Sequence, residues 1–259
     1  MRASARASRA SDPSRRPVDN LGAGLGVCDR QLGVIVPPPG YLRGVRDLCT
    51  RHGIVYIADE VLVGFGRTGA WFGVDHDDVV PDLLVFAKGV NSGSVPLGGV
   101  LVGDPIYEAF TRRPYPAGMT YSGHPLACAA AVGAIRAMHE EGTVVAAARL
   151  GADVLGPGLT KLAGKHRSIG DIRGIGGLWT VELVRERLSK EPLVPVGAAG
   201  EDNAPMTAIA RACLGRGLVP LILGNRVHVA PPLNLSDADA AIGLTILDEA
   251  LDEADTFVA

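Results

Sequence analysis

The sequence has few aromatic residues, few cysteines and few lysines, and each shortage is informative. Aromatic residues make up 5% of the 259 positions, and four positions are cysteine. The cysteines are widely spaced and form no CxxC pair, which argues against a metal site or a disulfide framework and favours reduced thiols. Only four of the 25 basic residues are lysine, so the chain uses arginine for most of its positive charge.

Long apolar runs are also absent. The longest, at residues 125–135, stops at Arg136 and is far short of the roughly 20 residues of a membrane-spanning helix. No segment combines the charged start, apolar middle and small-residue cleavage site of a signal peptide. We therefore expect a cytoplasmic protein that makes no membrane contact.

The composition that is present is that of an ordinary globular protein. Hydrophobic residues make up 47% of the chain and charged residues 20%, which is enough to bury a sizeable core. Glycine and proline, with 34 and 18 residues, stay below the level of a low-complexity chain. Disorder, collagen and a bare coiled coil are excluded for the bulk of the sequence.

Positive charge is concentrated at the N-terminus. Residues 1–20 carry five arginines and two acids, whereas the rest of the chain has a formal charge of −6. A chain that is mildly acidic after residue 20 lacks the excess of basic residues that is typical of nucleic-acid-binding proteins. The start is similar in composition to a mitochondrial transit peptide but has no Leu, Ile or Phe for an apolar helical face. We expect residues 1–32 to be a disordered or unmatched tail, and a misplaced start is an alternative origin.

Hydrophobic patterning predicts an α/β domain at residues 33–140 and a smaller α+β domain at residues 141–259. Apolar, β-branched runs at residues 54–58, 82–87 and 97–103 are typical of strands buried in a mainly parallel sheet. After residue 140 the elements become shorter and mixed, which favours a second domain. Helices are predicted at residues 39–52, 105–110, 125–140, 143–163, 205–215 and 237–252, and further strands at 169–172, 178–184, 218–222 and 227–230.

Two charged residues follow the first two buried runs. Asp59 comes directly after residues 54–58, and Lys88 directly after residues 82–87. Because parallel strands end at one edge of a sheet, where ligands bind in α/β proteins, both are candidate site residues. Lys88 is the only lysine in the first 160 residues, and a lysine amine can lose its proton and form a Schiff base. A lysine that extends from a strand end into solvent is an equal alternative on position alone.

Five motifs carry a more specific signal. They are IADEV with GFGRTG at residues 57–69, FAKG with PLGG at residues 86–99, TYSGHPLA at residues 120–127, IRG with GL at residues 172–178, and VAPPL at residues 229–233. In this order they resemble the motifs of class III aminotransferases, which are pyridoxal-phosphate enzymes of fold type I. The resemblance implies an incomplete fold-type I large domain followed by the small C-terminal domain.

The resemblance also implies a role for each of four residues. Lys88 would hold pyridoxal 5′-phosphate covalently and then act as general base and acid. Asp59 would keep the ring nitrogen protonated, and an acid there makes the cofactor an electron sink. Val61 would pack on one ring face, with core packing as the simpler role. Thr120 would bind the cofactor phosphate across a homodimer interface, near a helix start that favours anions, or would simply cap that helix.

Two departures from the family pattern bear on the substrate. Leu62 occupies the position at which many relatives carry Gln, and His228 occupies the position of an arginine that binds the α-carboxylate. Leu62 and the YSGHP motif resemble the ω-amino acid:pyruvate branch. This implies an ω-amine or ω-amino acid donor, such as β-alanine or 4-aminobutyrate, with pyruvate or another 2-oxo acid as acceptor. Arg226 is a weaker candidate for the carboxylate-binding residue, and a surface arginine at a strand start is an equal alternative.

The matched motifs begin inside the large domain. Family members carry a Gly-Ser phosphate turn and an aromatic residue that stacks on the cofactor before this point, and residues 1–32 supply neither. We therefore expect missing strands and an exposed apolar sheet edge. Two hypotheses follow: an active transaminase, completed by more chain or by another chain, and a non-catalytic remnant or interaction subunit.

Overall fold

The computed structural model describes residues 33–258. The predicted tail at residues 1–32 lies outside these described residues. We refer to residues 33–140 as the N-terminal region and to residues 141–258 as the C-terminal region. The division at residue 140 itself stays a prediction.

The N-terminal region contains a small three-stranded sheet. Strands β1 (Ile57–Asp59) and β2 (Leu83–Phe86) are parallel, and β3 (Gly99–Val102) lies antiparallel to β2. The order is β1-β2-β3. Tyr56, Ala58 and Leu84 are buried around this sheet. The predicted α/β class is confirmed, although only the first of these two strand pairs is parallel.

Strand β3 is not the buried strand that its apolar sequence predicts. Val100, Leu101 and Val102 are 48, 53 and 46% exposed. Within the described residues β3 pairs only with β2, so its other edge and much of its surface stay uncovered. This is the exposed apolar edge that the sequence led us to expect.

Helix α1 (Tyr41–His52) begins two residues later than predicted. The carboxylate of Asp77 accepts the backbone N–H groups of Gly40 at 3.1 Å and Leu42 at 3.0 Å. A distant side chain therefore caps the helix, which no local pattern signals. Its end at Gly53, where φ is 60°, is the predicted one.

Four further α-helices and a π-helix follow the N-terminal sheet along the chain. They are α2 (Asp104–Thr111), α3 (Pro125–Glu140), α4 (Thr143–Arg149) and, after a π-helix at Leu150–Leu155, α5 (Gly156–Lys165). A single helix was predicted for residues 143–163. The π-helix brings Gly151 against the backbone of Gly176, where a Cβ atom would collide with the carbonyl oxygen.

The C-terminal region is an antiparallel sheet covered by helices. The strands of this sheet are β4 (Ile169–Ile175), β5 (Leu178–Glu186), β6 (Glu191–Pro192), β7 (Leu221–Leu223) and β8 (Arg226–Val229), and the region also contains helices α6 (Ala204–Gly215) and α7 (Asp237–Asp255). The strand order is β4-β5-β8-β7, and β6 pairs with β5.

One face of this sheet forms the largest core. Val181 and Leu183 of β5 are fully buried against Leu159 of α5, Ile209 of α6 and Leu251 of α7. The alternate residues of β5 point to the other face, as the period of a strand requires. The predicted small α+β domain thus matches the observed architecture.

A buried histidine ties α5 to α7. His166 is 0% exposed, and its Nε2 atom lies 2.6 Å from a carboxylate oxygen of Asp248. Its Nδ1 atom lies 2.9 Å from a carboxylate oxygen of Asp255, which also accepts the N–H of Ser168 at 2.9 Å. Lys165 pairs with Asp248 at 2.7 Å.

Within residues 33–258, none of the helices combines the length and the hydropathy needed to cross a bilayer.

Candidate active site

Asp59 and Lys88 lie at the same edge of the N-terminal sheet. Asp59 is the last residue of β1 and is paired in register with Val85 of β2. Lys88 follows β2 by two residues. Because β1 and β2 are parallel, both side chains leave the sheet at its carboxyl edge, which is the ligand-binding edge of α/β folds.

The backbone at Lys88 is held in an unusual conformation. Lys88 has a φ of 44°, in the left-handed region that lysine rarely adopts, and it begins a short 3-10 helix, Lys88–Asn91. Glycine also suits the next position, since a Cβ atom at Gly89 would lie tightly against its neighbours, 3.0 Å from Cβ of Phe65 and 3.2 Å from the carbonyl oxygen of Gly64. Non-glycine residues in such conformations cluster at functional sites.

Lys88 is exposed to a cavity of about 690 Å³, which is within the usual size range of small-molecule sites. The cavity lies between the N-terminal sheet, α3 and the loop after β8. It is lined by Leu62, Gly64, Phe65, Arg67, Lys88, Gly89, Ser92, Gly93, Ala134, Ala137, Met138, Glu141, Thr143, Pro232, Leu233 and Asn234.

Asp59 and Val61 are not among the residues that line this cavity, whereas Leu62, which follows Val61, is. The Asp59 side chain is exposed, and its Oδ1 atom accepts the backbone N–H of Val61 at 3.1 Å. Its Oδ2 atom accepts no hydrogen bond from residues 33–258. Val61 is half-buried. Among the described residues, Asp59 therefore leaves one carboxylate oxygen without a donor at the sheet edge.

The neighbouring Glu60 has a structural role that the sequence analysis missed. Its side chain is 1% exposed and accepts the backbone N–H groups of Gly73 at 2.7 Å and Val74 at 2.9 Å. Burial raises the pKa of the Glu60 carboxyl. Successive residues of a strand point to opposite faces, so Asp59 is exposed whereas Glu60 is buried. In its buried position Glu60 anchors the loop from residue 61 to residue 73.

That loop joins the two regions through Arg67. The Nη1 group of Arg67 donates to the carbonyl oxygens of Gly177, at 3.0 Å, and Pro231, at 2.7 Å. The backbone N–H of Gly177 donates in turn to the Arg67 carbonyl at 2.9 Å. The loop needs glycine here, since a Cβ atom at Gly69 (φ of 87°) would lie 2.8 Å from Ala148.

Thr120 and Arg226 do not line the Lys88 cavity. Thr120 is exposed in a turn that precedes α3. Arg226 begins β8, but its side chain is only 15% exposed, so it is not a surface arginine. Its Nε atom lies 3.4 Å from a carboxylate oxygen of Glu182.

Arg226 belongs to a charged cluster on the polar face of the C-terminal sheet. Arg173 contacts Glu182 at 2.6 Å. Burial opposes ionisation of Glu182, but hydrogen bonds from Arg173 and Arg226 hold the pKa of this carboxyl below its ordinary value. His228 lies on the same face, and burial together with both guanidinium groups lowers its pKa.

Comparison with known proteins places these features in a family. The family model described as aminotransferase class-III matches residues 30–251. The chain is 35% identical over 222 residues to the putrescine–pyruvate aminotransferase of Pseudomonas aeruginosa, covering 85% of this chain and 47% of that protein. It is 36% identical over 227 residues to the 4-aminobutyrate aminotransferase GabT of Escherichia coli, covering 86% and 50%.

Solved structures show the same similarity. The structure of taurine:2-oxoglutarate aminotransferase from Bifidobacterium kashiwanohense, in complex with PLP and glutamate, matches with a TM-score of 0.82 and 36% identity, over 88% of this chain and 50% of that one. The chain spans about half the length of these relatives. Its fold is that of the fold-type I transaminases, and the chain belongs to the class III aminotransferase family, which uses pyridoxal phosphate.

Proposed function

We propose that this chain carries the cofactor lysine of a transaminase that moves an amino group from an ω-amine or ω-amino acid to pyruvate or another 2-oxo acid. The observation that carries the proposal is the position of Lys88. Its backbone is fixed in a left-handed conformation at a strand end, its side chain enters a cavity of about 690 Å³, and an acid ends the neighbouring parallel strand.

The described residues fit pyridoxal phosphate. A primary amine in a cavity of this size can bond to an aldehyde, and the free oxygen of Asp59 can accept a hydrogen bond from a protonated ring nitrogen. When bound, the cofactor supplies an electron sink for the bonds of the amine carbon. In this proposal the side chain of Val61, which is half-buried and two residues beyond Asp59, packs on the ring.

Lys88 then has two tasks. Its Nζ atom would hold the cofactor, and as a free amine it would act as the base and acid that moves the proton of the substrate's amine carbon. The left-handed backbone at residue 88 and the tight packing of Gly89 on Phe65 fix the main chain from which this side chain extends. Asp59 acts through its charge, because a carboxylate beside the ring nitrogen keeps that nitrogen protonated.

Thr120 has a role in this proposal only in a homodimer. The segment around it exposes large apolar side chains: Tyr107, Met119 and Tyr121 are 63, 80 and 78% exposed. Surfaces of this kind are typical of interfaces. In the proposed dimer, this segment covers the partner's active site, and the Thr120 hydroxyl binds the phosphate of the partner's cofactor.

The substrate class rests on the relatives and on the lining of the cavity. The relatives' names include putrescine, pyruvate and 4-aminobutyrate, and an ω-amino acid–pyruvate aminotransferase of Pseudomonas putida is 43% identical over 125 residues. Leu62 lines the cavity, so an apolar group stands where the sequence departs from the Gln of many relatives.

A visible absorption band tests the proposal. The purified chain is mixed with pyridoxal phosphate and freed of excess cofactor, and the band of the lysine-bound cofactor is recorded. We expect Lys88→Ala to abolish the band and Lys161→Ala, at an exposed helix position, to keep it. A folded wild-type chain without the band contradicts the proposal and favours the non-catalytic remnant.

A further inference from the structure

A second cation, Arg67, lines the same cavity as Lys88, and the proposed function leaves it without a chemical role. Its side chain is half-buried, and burial lowers the pKa of its guanidinium. Buried arginines are normally paired with a carboxylate, because an uncompensated charge is costly away from water. No carboxylate among residues 33–258 forms an ion pair with Arg67.

The hydrogen bonds of Arg67 to the protein use only some of the N–H donors of its guanidinium group. Both bonds to the protein come from Nη1, which donates to Gly177 and Pro231. A guanidinium has five N–H donors, and Nε and Nη2 donate to no group in the described part of the chain. These bonds hold the side chain in place while the remaining donors keep the planar geometry that matches a carboxylate.

The surroundings strengthen the attraction of Arg67 for an anion. Leu62, Phe65 and Leu233 make much of the cavity wall apolar, and charge interactions are stronger away from water. Glu141 is the acid that lines the cavity, and it is exposed at the end of α3. Arg226, the candidate from the sequence, is instead paired with Glu182 outside the cavity.

We propose that Arg67 binds the carboxylate of the amino acid or 2-oxo acid substrate and so orients its reacting carbon toward Lys88. This inference rests on the proposed function and deepens it. It assigns the site to substrates that carry a carboxylate, in preference to simple amines, ketones and aldehydes. It also makes Arg67 a link between substrate binding and the two C-terminal loops whose carbonyls hold its Nη1 group.

The test compares two ligands of similar size and shape, of which one carries a carboxylate and the other a neutral amide. Propionate and propanamide are titrated into the full chain, without added cofactor, by nuclear magnetic resonance. We expect the wild-type chain to prefer propionate, and Arg67→Gln to lose that preference by about tenfold or more, as expected for a charge-assisted pair. Arg67→Lys should keep part of it.

Arg187→Gln is the matched control. Arg187 also donates to backbone carbonyls, those of Ile169 at 3.0 Å and Ala163 at 2.6 Å, but it does not line the cavity. It should therefore keep the wild-type preference. A wild-type chain with no preference, or an Arg67→Gln chain that keeps it, overturns the inference. A purely structural role would lower the stability of Arg67→Gln and leave the preference intact.

The two proposals fail separately. The absorption band depends on Lys88 and the cofactor, whereas the propionate preference is measured without the cofactor. A missing band with an intact, Arg67-dependent preference contradicts the proposed function alone. A band with no such preference contradicts the assignment of Arg67 alone.

Discussion

The charged residues at the candidate active site and those of the C-terminal sheet differ in their pairing, although the N-terminal region also contains an ion pair, between Arg46 and Asp82 at 2.8 Å. In the C-terminal region, charges are paired: Glu182 lies between Arg173 and Arg226, and His166 lies between Asp248 and Asp255. In the N-terminal region, Lys88 and Arg67 line one cavity and Asp59 ends the neighbouring parallel strand, and none of the three has a side-chain ion pair within residues 33–258. Paired charges stabilise a scaffold, whereas charges left without protein partners are available for a ligand.

The two regions also differ in how completely their sheets are covered by other elements. The C-terminal sheet is covered by α5, α6 and α7 around fully buried residues, whereas β3 at the edge of the N-terminal sheet is about half exposed. The C-terminal region is therefore the more self-contained part of the described chain. The N-terminal region leaves more apolar surface uncovered, at β3.

The largest effect on stability is expected in the C-terminal core. Leu251→Ala removes a fully buried side chain from α7 and should lower the free energy of unfolding by about 2–5 kcal/mol. Leu101→Ala, at a β3 position that is 53% exposed, should change it by less than about 0.5 kcal/mol. Urea denaturation of both variants measures the two changes in the free energy of unfolding. Equal losses in the two variants would contradict the claim that the C-terminal region is the more fully packed one.

A smaller loss is expected at Glu60. Glu60→Gln replaces one oxygen that accepts a backbone N–H with an NH₂ group, which should cost about 1–3 kcal/mol near neutral pH. Because burial raises the pKa of Glu60 above 4.5 in the folded state, the folded chain binds this proton more tightly than the unfolded chain. The wild type should lose stability relative to Glu60→Gln as pH rises from 4.5 through the raised pKa.

Urea midpoints of the two chains across this pH range measure that difference. A difference that stays constant with pH contradicts the account of Glu60, because a neutral glutamine cannot reproduce a titration.

A loss of about 1 kcal/mol is expected at Asp255, and its pH dependence has the opposite sign to that of Glu60. Burial opposes its ionisation, but hydrogen bonds from Ser168 and His166 hold the pKa of Asp255 below its ordinary value. Its stabilisation is thus present above pH 3.8 and is lost as pH falls through the lowered pKa. Asp255→Asn should cost about 1 kcal/mol at neutral pH and flatten the acid limb of the stability profile. If the stability of Asp255→Asn depends on acid pH in the same way as that of the wild type, ionised Asp255 does not stabilise the fold.

The sequence predicted those features that depend on local pattern. Helix α3 has the predicted bounds, and Asp59 and Lys88 lie at neighbouring strand ends because their short apolar runs form parallel strands. The family, its fold and its cofactor followed from contiguous motifs.

Features that depend on distant contacts could not be predicted. Arg67 is held by carbonyls 110 and 164 positions away along the chain, and α1 is capped by Asp77 from 37 positions away. The GFGRTG motif could signal a glycine loop, but nothing in it shows that its arginine enters the Lys88 cavity. The inward position of Glu60 could have been inferred from strand alternation after Asp59.

The central claim is that Lys88 is the amine that holds the cofactor, and chemical trapping tests it most directly. The chain is incubated with pyridoxal phosphate, treated with borohydride to fix the cofactor to the amine that it has bonded, digested and analysed by mass spectrometry. The account predicts the added mass on the peptide that contains Lys88. Added mass on peptides containing Lys161, Lys165 or Lys190 but not on that of Lys88, or none at all, would contradict it.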